Sequence, residues 1–442
     1  MLTGLLLAGT IAAAQIPMTL QEAVDFAGDH NASVLTARAQ MEQAGAMLAR
    51  DRAAGLPQVN GVAQNTMNRQ STNNAGSLAQ FGLAPLPNFS QNEAELAGTQ
   101  TLFNLQTALT ANQARRDYDS AVENYRLVRE QTLVDVHTSF YTYVQDVQLV
   151  ALAQFDLQYE QTLLQIADAN YKTGRVAGID RLKAQVQVTS SEETLSSAQA
   201  DAEDARENLA QLIGTGEAQQ FDVPPAIPAP VQPAIDEPAL NQIALVKRPE
   251  VAMAQDSLAS AILANGLVYA PNRPTVTLQS GWGNLVTTTI SPFQQQENIM
   301  LCGTIMCGPT HFYTISLNSQ WTLPLLDWGT NHAAHGGARA NIDAQSSALD
   351  AARRQALIDV DQAVRRLRVD EQNLSLATQN ADVARQAAQI AVVQYRVGMA
   401  SQVDVTTAEQ TYLQAAKQLL DAQVGYVLGI DKLKLATGTL VD

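Results

Sequence analysis

Apolar residues recur at alternating steps of three and four along two long segments of the chain. The first series is Leu133, Val136, Phe140, Tyr143, Val147, Val150, Leu157, Leu164 and Tyr171, and the second is Leu357, Val360, Val364, Leu367, Leu374, Ala381, Ala388, Val392 and Tyr395. This spacing is typical of coiled coils. Each segment runs for about 68 residues without proline, so the pattern predicts two helices of roughly 100 Å each.

A short glycine-containing turn follows each long segment, and a further series with the same spacing follows each turn. These series are Leu195, Ala198, Ala202, Ala205, Leu209 and Leu212, and then Leu419, Ala422, Tyr426, Gly429, Leu433 and Ala436. We expect them to form helices that return antiparallel to the long ones. Shorter helices are predicted from Thr19 to Leu56, with a capping box at Thr19 and Glu22, and from Ala239 to Ala270.

The two halves of the chain repeat each other. The segment from Tyr171 to Asp180 aligns without a gap on the segment from Tyr395 to Asp404 at an offset of 224, and the alignment continues to Gly214 and Gly438. The chain is therefore interpreted as a tandem duplication. A first repeat covers residues 15–213, a proline-rich linker covers 214–238, and a second repeat covers 239–442.

Alternating apolar and polar residues follow Pro57 and Pro274, which end the shorter helices. They predict a strand pair in each repeat, at about residues 58–103 and 275–323. One apolar and one polar face suits a strand between lipid and water, and ten residues cross a bilayer when tilted. Four strands cannot close a barrel and open edges are not tolerated in lipid, so such a protein must oligomerise. Soluble hairpins on a rod-like coiled coil are the alternative.

The first residues resemble a signal peptide. An apolar stretch ends in Ala12-Ala13-Ala14, which predicts a signal peptide over residues 1–14, although a positively charged start is missing and a frayed apolar terminus is the alternative. Thr10 occupies the position that a lipidated cysteine would take, so no acyl anchor is expected. No uninterrupted run of 18 apolar residues occurs, and no membrane-spanning helix is expected.

The two cysteines, Cys302 and Cys307, are separated by four residues. In an exported protein this spacing predicts a disulfide that closes a small loop, with free or metal-bound thiols as the alternative. His332 and His335 are spaced for one helix face, but no third ligand is nearby, so no metal site is predicted.

Charge and composition exclude several functions. The 27 basic and 43 acidic residues give a net charge of −16, which argues against nucleic-acid binding. No phosphate-binding loop and no nucleophile with its base are evident, so neither an enzyme nor a cofactor is predicted.

Together, the duplication, the helices that return through Tyr-x-x-Gly turns and the strand pairs resemble the TolC-like outer membrane efflux family. The most specific segments are Thr19-Leu-Gln-Glu-Ala-Val24, Leu56-Pro57-Gln58, Leu323-Pro-Leu-Leu-Asp-Trp-Gly329, and Tyr395-Arg-Val-Gly398 followed by Val403-Asp404-Val405. The resemblance implies a mainly helical protomer that gives four strands to a trimeric twelve-stranded barrel in the outer membrane of a Gram-negative bacterium. A passive exit duct for efflux or type I secretion would follow.

The resemblance also implies partners and sites. A periplasmic adaptor, which connects the duct to an inner-membrane pump, is expected to dock at the helix turns with Gly174, Gly178, Gly398 and Ser401. Asp404 matches the acid of the family's constriction, where three copies would form a charge ring. Asp180 and Tyr395 match positions that link neighbouring coiled coils, whereas Ala400 and Thr407 depart from the family's basic and acidic residues. Helix capping is the alternative role for both aspartates.

Trp282, Tyr313 and Trp321 are predicted to lie at the lipid interface, with ordinary hairpin packing as the alternative. The rival to the duct as a whole is a soluble periplasmic coiled-coil scaffold or adaptor. A duplicated helical set with strands in both halves favours the duct.

Overall fold

A computed structural model describes residues 17–68, 89–174, 177–215, 219–228, 235–289, 310–397 and 399–440. The predicted signal peptide, the predicted disulfide between Cys302 and Cys307, and Gly398 lie outside these residues.

Long helices dominate the described chain. In chain order the elements are α1 (Leu20–His30), α2 (Ala32–Ala53), β1 (Gln58–Asn68), β2 (Phe89–Phe103), α3 (Leu105–Lys172), α4 (Gly178–Ile213), α5 (Glu237–Lys247), α6 (Pro249–Tyr269), β3 (Thr275–Thr289), β4 (Thr310–Gln320), α7 (Thr330–Arg396) and α8 (Gln402–Thr437). A short 3₁₀ turn, Ala270–Asn272, follows α6. The predicted fold class, mainly helical with strands in both halves, is confirmed.

Each shorter helix that the sequence predicted as continuous is broken in two. Asn31 ends α1 with its backbone extended, and its side-chain oxygen accepts hydrogen bonds from the amides of Ser33 and Val34 at 2.8 and 3.3 Å. In the second half Arg248 is extended before Pro249. Proline disfavours a helical residue before it, and asparagine competes with the helix for amides, so both breaks have local causes.

The structure divides the chain into two compact units. The first comprises residues 1–42, 120–255 and 347–442, and the second comprises residues 43–119 and 256–346. The core of the first unit joins α3, α4 and α8 through Val136, Phe140, Leu209, Ile213 and Val427. A further cluster packs Val360, Val364 and Leu367 of α7 against Tyr426, Ile430 and Leu433 of α8.

Near its C-terminal end, α3 buries a different stripe from the predicted one. The buried residues there are Ala153, Asp156, Glu160, Leu163 and Ala167. Leu157 and Leu164 are half-buried, and Tyr171, the last residue of the predicted seam, is exposed. In this stretch α3 also lies against α8, where the Phe155 ring is 6.4 Å from the Tyr412 ring, so the buried stripe does not follow the predicted seam.

Two glycines end helices at equivalent points of the repeats. Gly214 ends α4 with φ +82°, and Gly438 ends α8 with φ +66°. A Cβ at Gly214 would lie 2.8 Å from the carbonyl oxygen of His30, and one at Gly438 would lie 2.9 Å from that of Lys247. Each glycine therefore supplies both a left-handed helix end and a close backbone approach.

In the second unit the strands form one antiparallel sheet in the order β1-β2-β3-β4. Gly61, Leu96, Trp282 and Tyr313 lie opposite one another across the sheet. Residues opposite each other share a face, so this row and the rows two residues away from it define one face of the sheet.

The helix α6, together with the turn to Asn272, is long and apolar enough to cross a membrane, with a mean hydropathy of 1.3 in its most apolar window. Polar residues are interspersed in this helix, so it contains no uninterrupted run of 18 apolar residues. A single helix of this kind is weak evidence for a membrane span. Within the second unit Asp256 of this helix pairs with Arg116 of α3 at 3.3 Å, and Gly266 faces Leu109.

Candidate gate at the helix turns

The first turn connects α3 to α4. Gly174 adopts φ +72° and donates its amide to the carbonyl oxygen of Tyr171 at 2.9 Å. Ala177 occupies the N-cap of α4 and has no side chain to cap it, while Gly178 lies against the Tyr171 ring. The guanidinium of Arg181 lies 5.7 Å from the centre of that ring, so a cation–π contact joins the two sides of the turn.

The second turn connects α7 to α8 and ends in a capping box. The Ser401 amide and hydroxyl donate to the Asp404 carboxylate at 2.8 and 2.7 Å, and the Ser401 hydroxyl accepts from the Asp404 amide at 3.3 Å. These hydrogen bonds favour the ionised carboxylate and lower the pKa of Asp404. Asp404 is exposed, so it carries a negative charge in water at the tip of the second helix pair.

A cleft of about 660 Å³ lies between the two turns. Asp180 and Lys183 of α4 line one side, and Tyr395 and Arg396 of α7 line the other. Asp180 is close enough to raise the pKa of the Tyr395 hydroxyl, although burial is the larger cause. The structure thus places Asp180 and Tyr395 on the same cleft, whereas Asp404 does not contribute to the lining of this cleft.

The remaining predicted residues lie at the turns and on the sheet. Gly174 and Ser401 are exposed and Gly178 is half-buried, while Trp282, Tyr313 and Trp321 are all exposed. Trp282 and Tyr313 pair directly across β3 and β4, and the Trp321 indole donates to the carbonyl oxygen of Asn272 at 3.0 Å.

A sequence profile of the outer membrane efflux protein family matches residues 24–215 and 240–439. The chain belongs to this family. The predicted resemblance, the outer-membrane location and the export role are thereby confirmed at the level of the family, whose known members are channels.

A curated relative is Protein CyaE of Bordetella pertussis, which is 26% identical over 344 residues, or 76% of this chain and 66% of the relative. The chain thus spans about two thirds of the length of that protein. Two solved channels share the fold. The CmeC outer membrane channel of Campylobacter jejuni has a TM-score of 0.77 at 17% identity, covering 95% of this chain and 86% of its own. The MtrE outer membrane channel of Neisseria gonorrhoeae in its open state has a TM-score of 0.74 at 20% identity. The match covers 95% of this chain and 89% of the MtrE chain.

Several residues at the turns of this efflux protein were missed by the sequence reasoning. Lys183 and Arg396 place two basic side chains beside Asp180 in the cleft, and Ala400 and Thr407, noted only as departures, also line it. Lys183 lies three residues after Asp180, a spacing that places both on one face of α4 and could have identified it.

The His335 side chain contacts neighbouring side chains of the second unit. Its Nδ1 lies 2.8 Å from the side-chain oxygen of Asn265, and its ring packs on Tyr269. Across the described ranges, no group of three or more His, Cys, Asp or Glu side chains is placed to hold a metal ion.

Proposed function

We propose that three copies of this chain assemble into a passive exit duct of a tripartite efflux or type I secretion system. Each copy would give four strands to a twelve-stranded barrel, and the helices would line the periplasmic passage. The observation that carries the proposal is the sheet itself. In the described part of the chain, β1 and β4 pair on one side only. Unpaired strand edges are not tolerated in lipid, so neighbouring copies must supply the missing partners.

The two faces of the sheet support a barrel with lipid outside and water inside. The face with Trp282 and Tyr313 also carries Val59, Leu278, Ile315 and Leu317, all exposed in the protomer. The opposite face carries Gln64, whose side-chain amide donates to Glu93 at 2.6 Å, and Glu95. Within the four described strands no Lys or Arg occurs, so the water-filled side would be weakly anionic.

The aromatic residues fall at two levels of the lipid-facing side. Trp321 follows the end of β4, while Tyr313 lies eight residues earlier on the same face, 81% exposed. Eight residues of antiparallel strand span about 27 Å, or about 19 Å across a bilayer at a 45° tilt. Aromatic girdles bound the apolar band of outer-membrane barrels at comparable spacing. We therefore assign Trp282 and Tyr313 to one interface and Trp321 to the other.

The turns are proposed as the gate and as the docking site for a periplasmic adaptor. Exposed apolar side chains surround both turns, at Ile179, Leu182, Val397, Met399 and Val403. An adaptor that buried them would gain hydrophobic stabilisation. Three copies of Asp404 around the trimer axis would form an anionic ring that attracts cations. Asp180 and Tyr395, which line the same cleft from the two helix pairs, would lie behind that ring.

The first experiment measures assembly and conductance of the detergent-extracted protein. We expect a trimer by native mass spectrometry and cation-selective channels in planar bilayers. Asp404→Asn should lower cation selectivity severalfold because it removes three charges from the ring. Asp382→Asn is the matched control, since Asp382 is an exposed acid that pairs with Arg385 on α7.

Channels with unchanged selectivity in Asp404→Asn would leave the duct intact and reduce Asp404 to a helix cap. A monomer recovered from the soluble periplasmic fraction would overturn the duct and support the soluble scaffold instead.

A further inference from the structure

Three acidic side chains are buried where the two helix pairs meet. Asp156 and Glu160 lie on α3, in the pair α3–α4, and Glu409 lies on α8, in the pair α7–α8. Their exposed fractions are 8%, 1% and 3%. Asp156 and Glu409 act electrostatically on Glu160, and Asp156 acts on Glu409, so the three carboxyl groups lie near one another. The Phe155 ring of α3 lies 6.4 Å from the Tyr412 ring of α8, which places the contact of the two pairs in the same stretch. Burying several carboxylates together is costly when they are ionised.

Hydrogen bonding does not compensate that cost. Among the described residues, Glu160 Oε2, Glu409 Oε1, the Tyr159 hydroxyl and the Ser191 hydroxyl are buried without a partner. Tyr159 belongs to the same cluster, because both Glu409 and Glu160 raise the pKa of its hydroxyl after burial itself. A buried carboxyl oxygen without a hydrogen-bond donor is costly when the group is ionised. Such burial therefore favours the protonated carboxyl group.

The other charged groups around the cluster come from each neighbouring helix. Arg396 of α7 acts on Tyr159. Glu193 and Asp201 of α4 and Lys417 of α8 line a groove of about 620 Å³ together with Asp156. Neither basic group, Arg396 or Lys417, offsets burial at the two glutamates. Burial, followed by the neighbouring acids, raises the pKa of Glu160 and that of Glu409 to about 7 each.

We propose that Glu160 and Glu409, beside Asp156, form a proton-dependent latch that holds the two helix pairs together when both glutamates are protonated and releases the pairs when the glutamates are ionised. The sign follows from the direction of the shifts. A carboxyl whose pKa is raised by burial favours the joined state below its ordinary pKa near 4.5, and this preference is lost as the pH rises to about 7. The joined state is therefore favoured in acid and weakened at neutral and alkaline pH.

The latch lies close to the turns. Glu409 is seven residues from the start of α8 at Gln402, or roughly 10 Å along the helix, and Glu160 is twelve residues from the end of α3, or roughly 18 Å. The cleft between the turns has Asp180 on the first pair and Tyr395 on the second. Separation of the pairs at the latch would move these two residues apart and widen the cleft. That consequence rests on the proposed duct, whereas the latch itself is a property of the protomer.

The test compares hydrogen exchange of the full chain in detergent at pH 5 and pH 8, after correction for the intrinsic pH dependence of exchange. We expect protection in residues 156–172 and 402–409 to fall about tenfold or more at pH 8, since one unit of pKa difference is tenfold in an equilibrium. Glu160→Gln with Glu409→Gln should abolish this change, because glutamine keeps the shape without the titration. The matched control is Glu192→Gln, which changes an exposed glutamate on α4 and should leave the response intact.

Each single variant should remove part of the response, which keeps the test decisive if the double variant fails to fold. Protection that is equal at both pH values in the native chain, or a response of full size in both single variants, would overturn the latch.

Bilayer recordings separate this proposal from the duct. If the duct and the latch are both correct, the open fraction of the channels rises from pH 5 to pH 8 in the native protein. The double variant does not show this rise. A pH-dependent exchange response without channels supports the latch and overturns the duct, and channels with a flat exchange response do the reverse.

Discussion

The two halves of the duplicated chain reach the same backbone by different chemistry at some points and by identical chemistry at others. Gly214 and Gly438 are equivalent, and each places a left-handed residue against the last turn of a short helix. The helix breaks at Asn31 and Arg248 are also equivalent, yet the first uses a side-chain cap and the second uses Pro249. Where the backbone requires glycine, both halves have glycine. Where either a side-chain cap or a proline can break the helix, the two halves differ.

The turns differ in their hydrogen bonding although their spacing is the same. Asp180 and Asp404 both lie three residues after an N-cap, but the N-cap is Ala177 in the first turn and Ser401 in the second. Ser401 engages Asp404 in a capping box, while Asp180 faces the cleft and Tyr395. One hydroxyl therefore decides which of two matching aspartates belongs to a cap and which belongs to the contact between helix pairs.

The largest effect is expected at the shared glycines. Gly214→Ala and Gly438→Ala would each place a Cβ within 3 Å of main-chain atoms at a positive φ, and each should destabilise the protein by about 3 kcal/mol. Gly174→Ala is the matched control, because Gly174 has a positive φ but nothing within 4 Å, and it should cost about 1 kcal/mol. The unfolding temperature in detergent measures both. Equal losses at all three sites would show that close approach adds nothing to backbone strain.

The helix break at Asn31 should be the next most sensitive point. Asn31→Ala removes the cap of α2 and the 2.7 Å hydrogen bond that the Asn31 side-chain amide donates to the carbonyl oxygen of Leu212. The free energy of unfolding should therefore fall by about 2 kcal/mol. Thr36→Ala is the control, since its exposed hydroxyl only bonds back to Ala32. If both variants unfold at the same temperature as the native protein, the cap does not stabilise the break.

Removing the Ser401 cap should leave the second turn, like the first, without a side-chain cap at its helix start. Ser401→Ala is expected to speed amide exchange at the start of α8 about fivefold, because the first-turn amides lose an acceptor. Thr407→Ala, which removes a hydroxyl bonded to the carbonyl oxygen of Val403, should change it little. The opposite ranking of the two variants would contradict the assignment of the cap.

Adding a cap to the first turn should give a smaller, stabilising effect. Ala177→Ser would complete the same box with Asp180 and slow exchange at the start of α4 about twofold. If it draws Asp180 away from the cleft, the pKa of Tyr395 should fall toward its ordinary value, since Asp180 now raises it. Ultraviolet titration against a Tyr395→Phe reference measures that shift, and an unchanged pKa would show that Asp180 stays beside the tyrosine.

Acid should produce the smallest difference between the turns. The pKa of Asp404 is lowered by its cap, so the stability it contributes is present above its ordinary pKa of 3.8 and is lost as the pH falls below that value. As the pH falls from 5 to 3, amide exchange at the start of α8, corrected for its intrinsic pH dependence, should therefore become faster. In Ser401→Ala this response to pH should be largely lost. An equal rise in both proteins would place the titration elsewhere.

Local patterns were sufficient for most of the fold. Step-three and step-four spacing predicted α3 and α7, alternation predicted strand pairs near their observed bounds, and Thr19 with Glu22 predicted the first capping box. The break before Pro249 could have been predicted from the sequence, because a proline disfavours a helical residue before it, but the predicted helix from Ala239 to Ala270 ran across it.

The site was only partly predictable. The spacing Ser401 to Asp404 predicts a cap without any partner helix, and the family resemblance pointed to Asp180 and Tyr395. It did not identify Lys183 and Arg396 beside them, because which side chains line a cleft depends on the angle between two helix pairs.

The sequence by itself determined the long helices, the capping boxes and the alternating strands, because each of these depends on residues within about one or two turns of one another. The repeat was visible by direct alignment of the two halves. The tertiary structure alone decided the environment of Glu160 and Glu409. On α3 and α8 separately each is an ordinary polar residue, and only the packing of the two helix pairs removes both from water and brings them near each other. Burial is a property of the partner surface, and no local pattern contains it.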